Sequence, residues 1–215
     1  LLSWDVAAMP SDGLILQQIS AADHSPIEGT DIDMSVVSQQ TVPAGSAMAF
    51  RISAPSRRYK LELNQGWNLF SLPIRPETPA VTEVFDAGNM VRKDGLDGDV
   101  YIDRIWTWDP TRNDGYGQYV QVTELSPCEG CWVYVSEAVT VTISGTNQAN
   151  MKTAFVTGWN LLGVAEETVL QDVPGLHFPG WDWDTESEEY IPVNAGDTMQ
   201  PGAASWFLAT GAGEF

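Results

Sequence analysis

The chain has 215 residues, with 10 Lys and Arg against 29 Asp and Glu, so its formal charge is −19. Clustered cations hold phosphate backbones and anionic lipids, so this balance excludes most nucleic-acid binders and argues against membrane binding. Insertion into a membrane is not expected either, because no apolar run approaches the ~18 residues of a span. The hydrophobic content of 43% is too high for a disordered acidic tail. With only two Cys and two His, the chain has little material for metal or nucleophile chemistry.

The ends of the chain predict a piece of a longer protein. Leu1-Leu2-Ser3-Trp4-Asp5 is neither an initiator segment nor a signal peptide, and Gly213-Glu214-Phe215 stops inside a pattern that is longer earlier in the chain. The surplus of carboxylates keeps a protein hydrated and is typical of secreted proteins. We therefore expect an extracellular or cell-surface location.

Residues 1–55 are predicted to form the terminal strands of a β-sandwich. Short apolar runs bounded by turn residues indicate strands at 1–6, 14–19, 30–34 and 48–54. Four strands at this spacing suit one end of such a domain.

An internal repeat is predicted after residue 55, with modules at 56–147 and 148–215. Four landmarks recur in the same order. They are Gly66-Trp67-Asn68-Leu69 with Gly158-Trp159-Asn160-Leu161, Trp106-Thr107-Trp108-Asp109 with Trp181-Asp182-Trp183-Asp184, Tyr119 with Tyr190, and Pro127 and Trp132 with Pro201 and Trp206. The first copy is longer by an insertion near 86–103, and the second ends early.

The segments between these landmarks alternate apolar and polar residues and are bounded by Gly, Pro, Asn and Asp. This pattern indicates strands at 60–63, 119–122 and 139–143. Short helical turns are predicted only at 79–85 and 168–173, one in each copy. The fold class is therefore all-β, a partial β-sandwich followed by two related small β modules.

The motifs GWNLFSLPI, WTWD and PCEGCWVYV resemble a repeat module of large secreted or cell-surface proteins of bacteria and archaea. In that module GWN precedes an apolar strand, and a Pro-Gly-x-Gly-Tyr-Trp type of turn follows an aromatic strand. The segment before residue 56 is similar to the terminal strands of sandwich domains found beside such modules. The chain departs from the pattern at Cys128 and Cys131, where Gly and an aromatic residue are expected. The resemblance implies an architecture and a location, but no activity.

Paired tryptophans are the candidate ligand-binding residues. Trp106 and Trp108 lie two residues apart on a predicted strand, so their rings face the same side at roughly 7 Å, as do those of Trp181 and Trp183. Such pairs form either a hydrophobic core or a platform on which sugar rings stack. Coplanar, exposed rings beside polar groups would favour sugar binding, whereas burial between sheets would favour the core.

Four aspartates of the insertion, Asp94, Asp97, Asp99 and Asp103, form the candidate metal site. Calcium takes several carboxylate and carbonyl oxygens, which a glycine-containing loop supplies, although the spacing does not match an EF-hand. The alternative is a solvated acidic loop.

Cys128 and Cys131 are predicted to form a local disulfide, with free buried thiols as the alternative. A zinc site would need two further ligands, and a thioredoxin-like site would need a helix at a position where the sequence predicts a strand.

The first functional hypothesis is a non-catalytic structural or interaction module of a larger surface, matrix or filament protein. Its partners would be neighbouring domains or subunits, docked on unpaired strand edges. The alternative is a carbohydrate-binding accessory module that uses the paired tryptophans, with a polysaccharide as partner and calcium as candidate cofactor. An enzyme is not expected, because the sequence contains no nucleophile, phosphate-binding or dinucleotide-binding motif.

Overall fold

The protein is described here from a computed structural model. It covers residues 2–5, 14–25, 27–28, 30–34, 37, 39–42, 49–53, 56–94, 100, 102–147, 151–171 and 173–214. The fold is all-β, as predicted, with antiparallel strand pairing in every sheet. The chain divides into two compact units, residues 1–57 and 58–215.

The first unit contains short strands at each of the four predicted positions, although residues 1, 6, 48 and 54 at their ends lie outside the described residues. The strands are β1 (Leu2–Ser3), β2 (Ile15–Ile19), β3 (Ile32–Asp33), β4 (Gln39–Gln40) and β5 (Ala49–Ser53). β2 lies between β3 and β5, and β1 pairs with β4. Leu16, Ile19 and Met34 are buried, and the Trp4 indole donates to the Met34 carbonyl at 2.9 Å.

The next elements form two sheets. They are β6 (Ser56–Leu63), β7 (Gly66–Phe70), β8 (Ile74–Pro76), α1 (Val81–Val84), β9 (Met90–Arg92), β10 (Trp106–Asp109), β11 (Gln118–Gln121), β12 (Cys131–Val135) and β13 (Val139–Asn147). One sheet has the order β11-β10-β12-β7, and in the other β13 pairs with β6, β8 and β9. Between them lies a core that includes the fully buried Ile105, Val133, Val139 and Val141. The predicted helical turn is confirmed as α1, and β9 belongs to the predicted insertion.

The remaining strands form one four-stranded sheet and two two-stranded sheets. They are β14 (Ala154–Phe155), β15 (Gly158–Gly163), β16 (Thr168–Val169), β17 (Leu176–Asp184), β18 (Glu189–Val193), β19 (Thr198–Met199), β20 (Ala204–Ala209) and β21 (Gly213–Glu214). The main sheet has the order β15-β20-β17-β18, and β14 pairs with β21. Its core includes Phe155, Leu170 and Phe207.

The predicted helical turn at 168–173 is wrong. Thr168 and Val169 form β16, which pairs with Met199 and Thr198 of β19. Both residues are β-branched, which favours a strand. Pairing with β19 also gives hydrogen-bond partners to backbone groups that would have none in a single helical turn.

We call the sheet β11-β10-β12-β7 sheet 1 and the sheet β18-β17-β20-β15 sheet 2. The two have matching strand orders and matching cross-strand pairs. Trp106 lies opposite Trp132 in sheet 1, and Trp181 lies opposite Trp206 in sheet 2. The two predicted copies therefore place their landmark residues at equivalent register positions, while the repeat itself stays a prediction from the sequence.

Sheets 1 and 2 pack against each other along a seam made of the buried Trp132, Leu161 and Trp206. Two backbone hydrogen bonds cross this seam reciprocally. The Ser71 amide donates to the Gly202 carbonyl at 2.8 Å, and the Gly163 amide donates to the Cys128 carbonyl at 2.9 Å. The seam fixes the relative position of the two sheets within the second unit.

Candidate functional site

The tryptophans of both sheets, together with Tyr119 and Tyr190, project from the faces that meet at the seam. On β10, Trp106 and Trp108 alternate with residues of the opposite face, and Trp108 lies opposite Tyr119. On β17, Trp183 lies opposite Tyr190 in the same way. The strand register therefore concentrates indole and phenol rings on the surface where the sheets meet.

Two clefts open beside the seam, and their linings are aromatic. Cleft A has a volume of about 490 Å³ and is lined by Trp108, Tyr119, Trp159, Trp181, Tyr190 and Trp206. Cleft B has a volume of about 540 Å³ and is lined by Trp67, Trp106, Tyr119, Trp132, Trp183 and Tyr190. Both volumes fall in the range of pockets that hold small organic ligands.

All four tryptophans proposed from the sequence line these clefts, but in a different grouping. Trp108 and Trp181 line cleft A, whereas Trp106 and Trp183 line cleft B. The two tryptophans of one strand therefore line different clefts. The reason is that one of them, Trp108 in sheet 1 and Trp183 in sheet 2, packs against a tryptophan of the other sheet. No single strand carries a complete platform.

Neighbouring rings in the clefts meet nearly at right angles. The Trp108 and Trp206 ring centroids are 5.3 Å apart with planes at 76°, and those of Trp132 and Trp183 are 5.3 Å apart at 72°. This edge-to-face arrangement is favoured by the aromatic quadrupole. The coplanar arrangement expected of a sugar platform is therefore not present between these pairs, and each cleft instead has walls that meet at an angle.

Exposure separates the floor of each cleft from its rim. Trp206 in cleft A and Trp132 in cleft B are only 8% and 7% exposed, whereas Trp159 and Trp67 are 41% and 40% exposed. The tryptophans thus combine the two roles weighed from the sequence. The buried rings hold the sheets together, and the exposed rings are open to a ligand.

Three indole N–H groups in the clefts are buried without a hydrogen-bond acceptor, those of Trp108, Trp132 and Trp206. The Trp132 and Trp206 indoles lie against the phenols of Tyr119 and Tyr190, and this interaction opposes the effect of burial on the pKa of each phenol. By contrast, the Trp183 indole donates to the Trp67 carbonyl at 2.9 Å. Because the Trp108, Trp132 and Trp206 nitrogens have almost no accessible surface, their missing hydrogen bonds are a cost of packing the two sheets together.

The tyrosines shared by the clefts are neutral at physiological pH. Burial, with a smaller contribution from the neighbouring Tyr190, raises the pKa of Tyr119 to about 12. Burial also raises the pKa of Tyr190. Both phenols therefore keep their protons and offer a donor and an acceptor in otherwise apolar clefts.

The lining residues that the sequence argument missed are Trp67, Trp132, Trp159, Trp206, Tyr119 and Tyr190. Each is a repeat landmark in the sequence, but the sequence analysis predicts no site at any of them. The available signal is the recurrence of an aromatic residue at the same landmark of both copies.

Carboxylates with a raised pKa lie away from the clefts. Burial raises the pKa values of Glu129 and Asp182, but neither side chain is among the residues that line cleft A or cleft B. Among the described lining residues, the clefts therefore offer no pair of carboxylates for general acid–base chemistry.

Two of the four aspartates proposed for calcium, Asp97 and Asp99, lie outside the described residues. Asp94 forms an ion pair with Arg92, and the Asp103 carboxylate accepts the Arg104 amide at 2.7 Å. The described part of the chain contains no cluster of three or more metal-ligating side chains. The calcium site stays a prediction.

Cys128 and Cys131 are free, buried thiols in this structure. Burial raises the pKa of both thiols, that of Cys131 well above its ordinary value, so both stay protonated. The turn is held by backbone hydrogen bonds, including Cys128 N–H to the Leu72 carbonyl at 2.8 Å. The predicted disulfide is thus not formed here, and its formation in an oxidising compartment stays a prediction.

Comparison of this chain with models of known protein families, with curated proteins and with solved structures finds no match. The resemblance to secreted repeat modules therefore stays a prediction. In the described part of the chain, helices long and apolar enough to cross a membrane are absent.

Proposed function

We propose that this chain is a non-catalytic carbohydrate-binding module of a secreted or cell-surface protein, and that clefts A and B hold the glycan. The observation that carries the proposal is the combination of exposed indole walls, Trp159 in cleft A and Trp67 in cleft B, with the neutral phenols of Tyr119 and Tyr190 that line both clefts.

A sugar supplies both of the surfaces that such a cleft needs. Its C–H groups carry a small positive charge and are attracted to the negative faces of indole rings. Its hydroxyl groups donate and accept hydrogen bonds, which the phenols of Tyr119 and Tyr190 can exchange with them in either cleft. The angled walls favour a short stretch of glycan held inside the cleft over a long chain lying on a flat surface.

The charge of the chain narrows the class of glycan. A formal charge of −19 repels uronate-rich and sulfated polysaccharides over distances of about the Debye length. We therefore propose a neutral glycan. Because the described lining residues are aromatic, binding without hydrolysis is the expected outcome.

A glycan array followed by affinity electrophoresis tests the proposal. Native protein should be retarded by at least one neutral polysaccharide, and the double variant Trp67→Ala/Trp159→Ala should bind about tenfold more weakly or worse, because one exposed wall of each cleft is removed. The control is Tyr116→Ala, which removes a side chain that is 82% exposed and lines neither cleft.

Two outcomes would contradict the proposal: retention of no glycan by the native protein, or equal retention of the native protein and the double variant. In that case the first hypothesis from the sequence, a structural module that contacts neighbouring subunits, gains support if the native protein self-associates in analytical ultracentrifugation. The exposed rings of Trp67, Trp159 and Trp181 would then be the surface that a protein neighbour covers.

A further inference from the structure

The linings of clefts A and B exchange when sheets 1 and 2 are interchanged. Each residue of cleft A has its register counterpart in cleft B: Trp108 corresponds to Trp183, Tyr119 to Tyr190, Trp159 to Trp67, Trp181 to Trp106 and Trp206 to Trp132. Interchanging the two sheets a second time restores the original arrangement, as expected for two sheets related by an approximate twofold axis.

Distances between the rings follow the same exchange. Trp108 and Tyr119 have centroids 5.1 Å apart, as do Trp183 and Tyr190. Trp159 and Trp206 are 6.3 Å apart, as are Trp67 and Trp132. The two clefts therefore have the same wall geometry as well as the same side chains.

We propose that the second unit is bivalent, with cleft A and cleft B as two sites for the same neutral glycan, so that one molecule cross-links two chains. This inference rests on the proposed function and adds its stoichiometry. The reciprocal Ser71 and Gly163 amide bonds hold the two sites in one fixed relation.

The two sites differ in one hydrogen bond of their walls. In cleft B the Trp183 indole donates to the Trp67 carbonyl at 2.9 Å, whereas the indole nitrogen of its counterpart Trp108 in cleft A is buried without a hydrogen-bond partner. The walls of the two clefts are therefore not identical, and we expect unequal affinities.

Isothermal titration of the full chain with cellohexaose, xylohexaose and mannohexaose measures this stoichiometry. The expected result is two molecules of one hexaose bound per native chain, with unequal affinities. Trp159→Ala and Trp67→Ala should each leave one site, because these rings are counterparts of nearly equal exposure, 41% and 40%. Circular dichroism and thermal melting verify that both variants are folded.

Cross-linking gives an independent measurement. Native protein should raise the viscosity of a neutral soluble polysaccharide such as hydroxyethylcellulose, whereas either single variant should bind without raising it. One hexaose bound per native chain, or loss of both sites in one folded variant, would overturn bivalence while leaving carbohydrate binding intact. Failure of the native protein to bind any neutral glycan would instead overturn the proposed function and bivalence with it.

Discussion

Asn68 and Asn160 explain why the Gly-Trp-Asn motif occurs twice. The Asn68 amide donates to the carbonyls of Asn64 and Gly66 at 2.7 and 3.0 Å, and its oxygen accepts the Asn64 amide at 2.9 Å. Asn160 makes the equivalent bonds with Val156 and Gly158. Gly66 and Gly158 have φ values of +103° and +105°, a region that glycine enters without strain. The Gly and Asn of the motif therefore build a turn, and only its Trp reaches a cleft.

The phenol of Tyr119 predicts how stability depends on pH. Its pKa rises from 10.0 in the unfolded chain to about 12 in the fold, mainly through burial. Between these values the folded state holds the proton more tightly, so the free energy of unfolding should fall as the pH rises from about 10 to about 12.

Urea unfolding across this pH range, followed by tryptophan fluorescence, measures the expected decrease in the free energy of unfolding. It should be smaller in Tyr119→Phe, which has no phenol to ionise, and unchanged in Tyr116→Phe, where the phenol is exposed. Equal slopes in the native protein and in Tyr119→Phe would contradict the assignment.

At the scale of the elements, close backbone approach sets the position of the seam. A Cβ atom on Gly163 would clash with the Ser71 side chain, which is fully buried and donates from Oγ to the Ala203 carbonyl at 2.7 Å. Glycine in a strand normally costs stability, so its presence on β15 is explained by this contact.

Gly163→Ala should therefore lower the free energy of unfolding by about 1–3 kcal/mol, the usual cost of overpacking. The matched control is Gly211→Ala, where an added Cβ meets nothing within 4 Å. Urea denaturation of both variants measures the difference. Similar unfolding midpoints would mean that the seam adjusts without cost.

The sequence predicts the strands better than it predicts the site that they build. Alternation and turn residues locate β6, β11 and β13, because these signals are local. The helical turn predicted at 168–173 fails because pairing with β19 outweighs the local pattern. The grouping of Trp108 with Trp206 depends on how two sheets pack, and no periodicity within one strand contains that information.

For the molecule as a whole, the tryptophans range from exposed to shielded. Trp67 and Trp159 are 40% and 41% exposed, whereas Trp132 and Trp206 are 7% and 8% exposed. A core and an open aromatic face are alternatives in the sequence, but the packing of two aromatic faces produces both at once.

Acrylamide quenching of the native protein should therefore give a downward-curved Stern–Volmer plot, with one accessible and one shielded population. Replacing Trp67 and Trp159 by Phe should reduce the accessible fraction, and a bound neutral glycan should reduce it in the native protein. A linear plot would contradict this division of the tryptophans.

Tyr119 and Tyr190 line both clefts, so the two sites share part of their walls. A ligand that reorients either phenol in one cleft also alters the other cleft, which is the physical requirement for cooperativity. Thermodynamic linkage makes this effect reciprocal: the factor by which the first glycan changes the affinity for the second equals the factor in the other direction. On the proposed bivalence, communication between the two sites therefore follows from Tyr119 and Tyr190, which line both clefts.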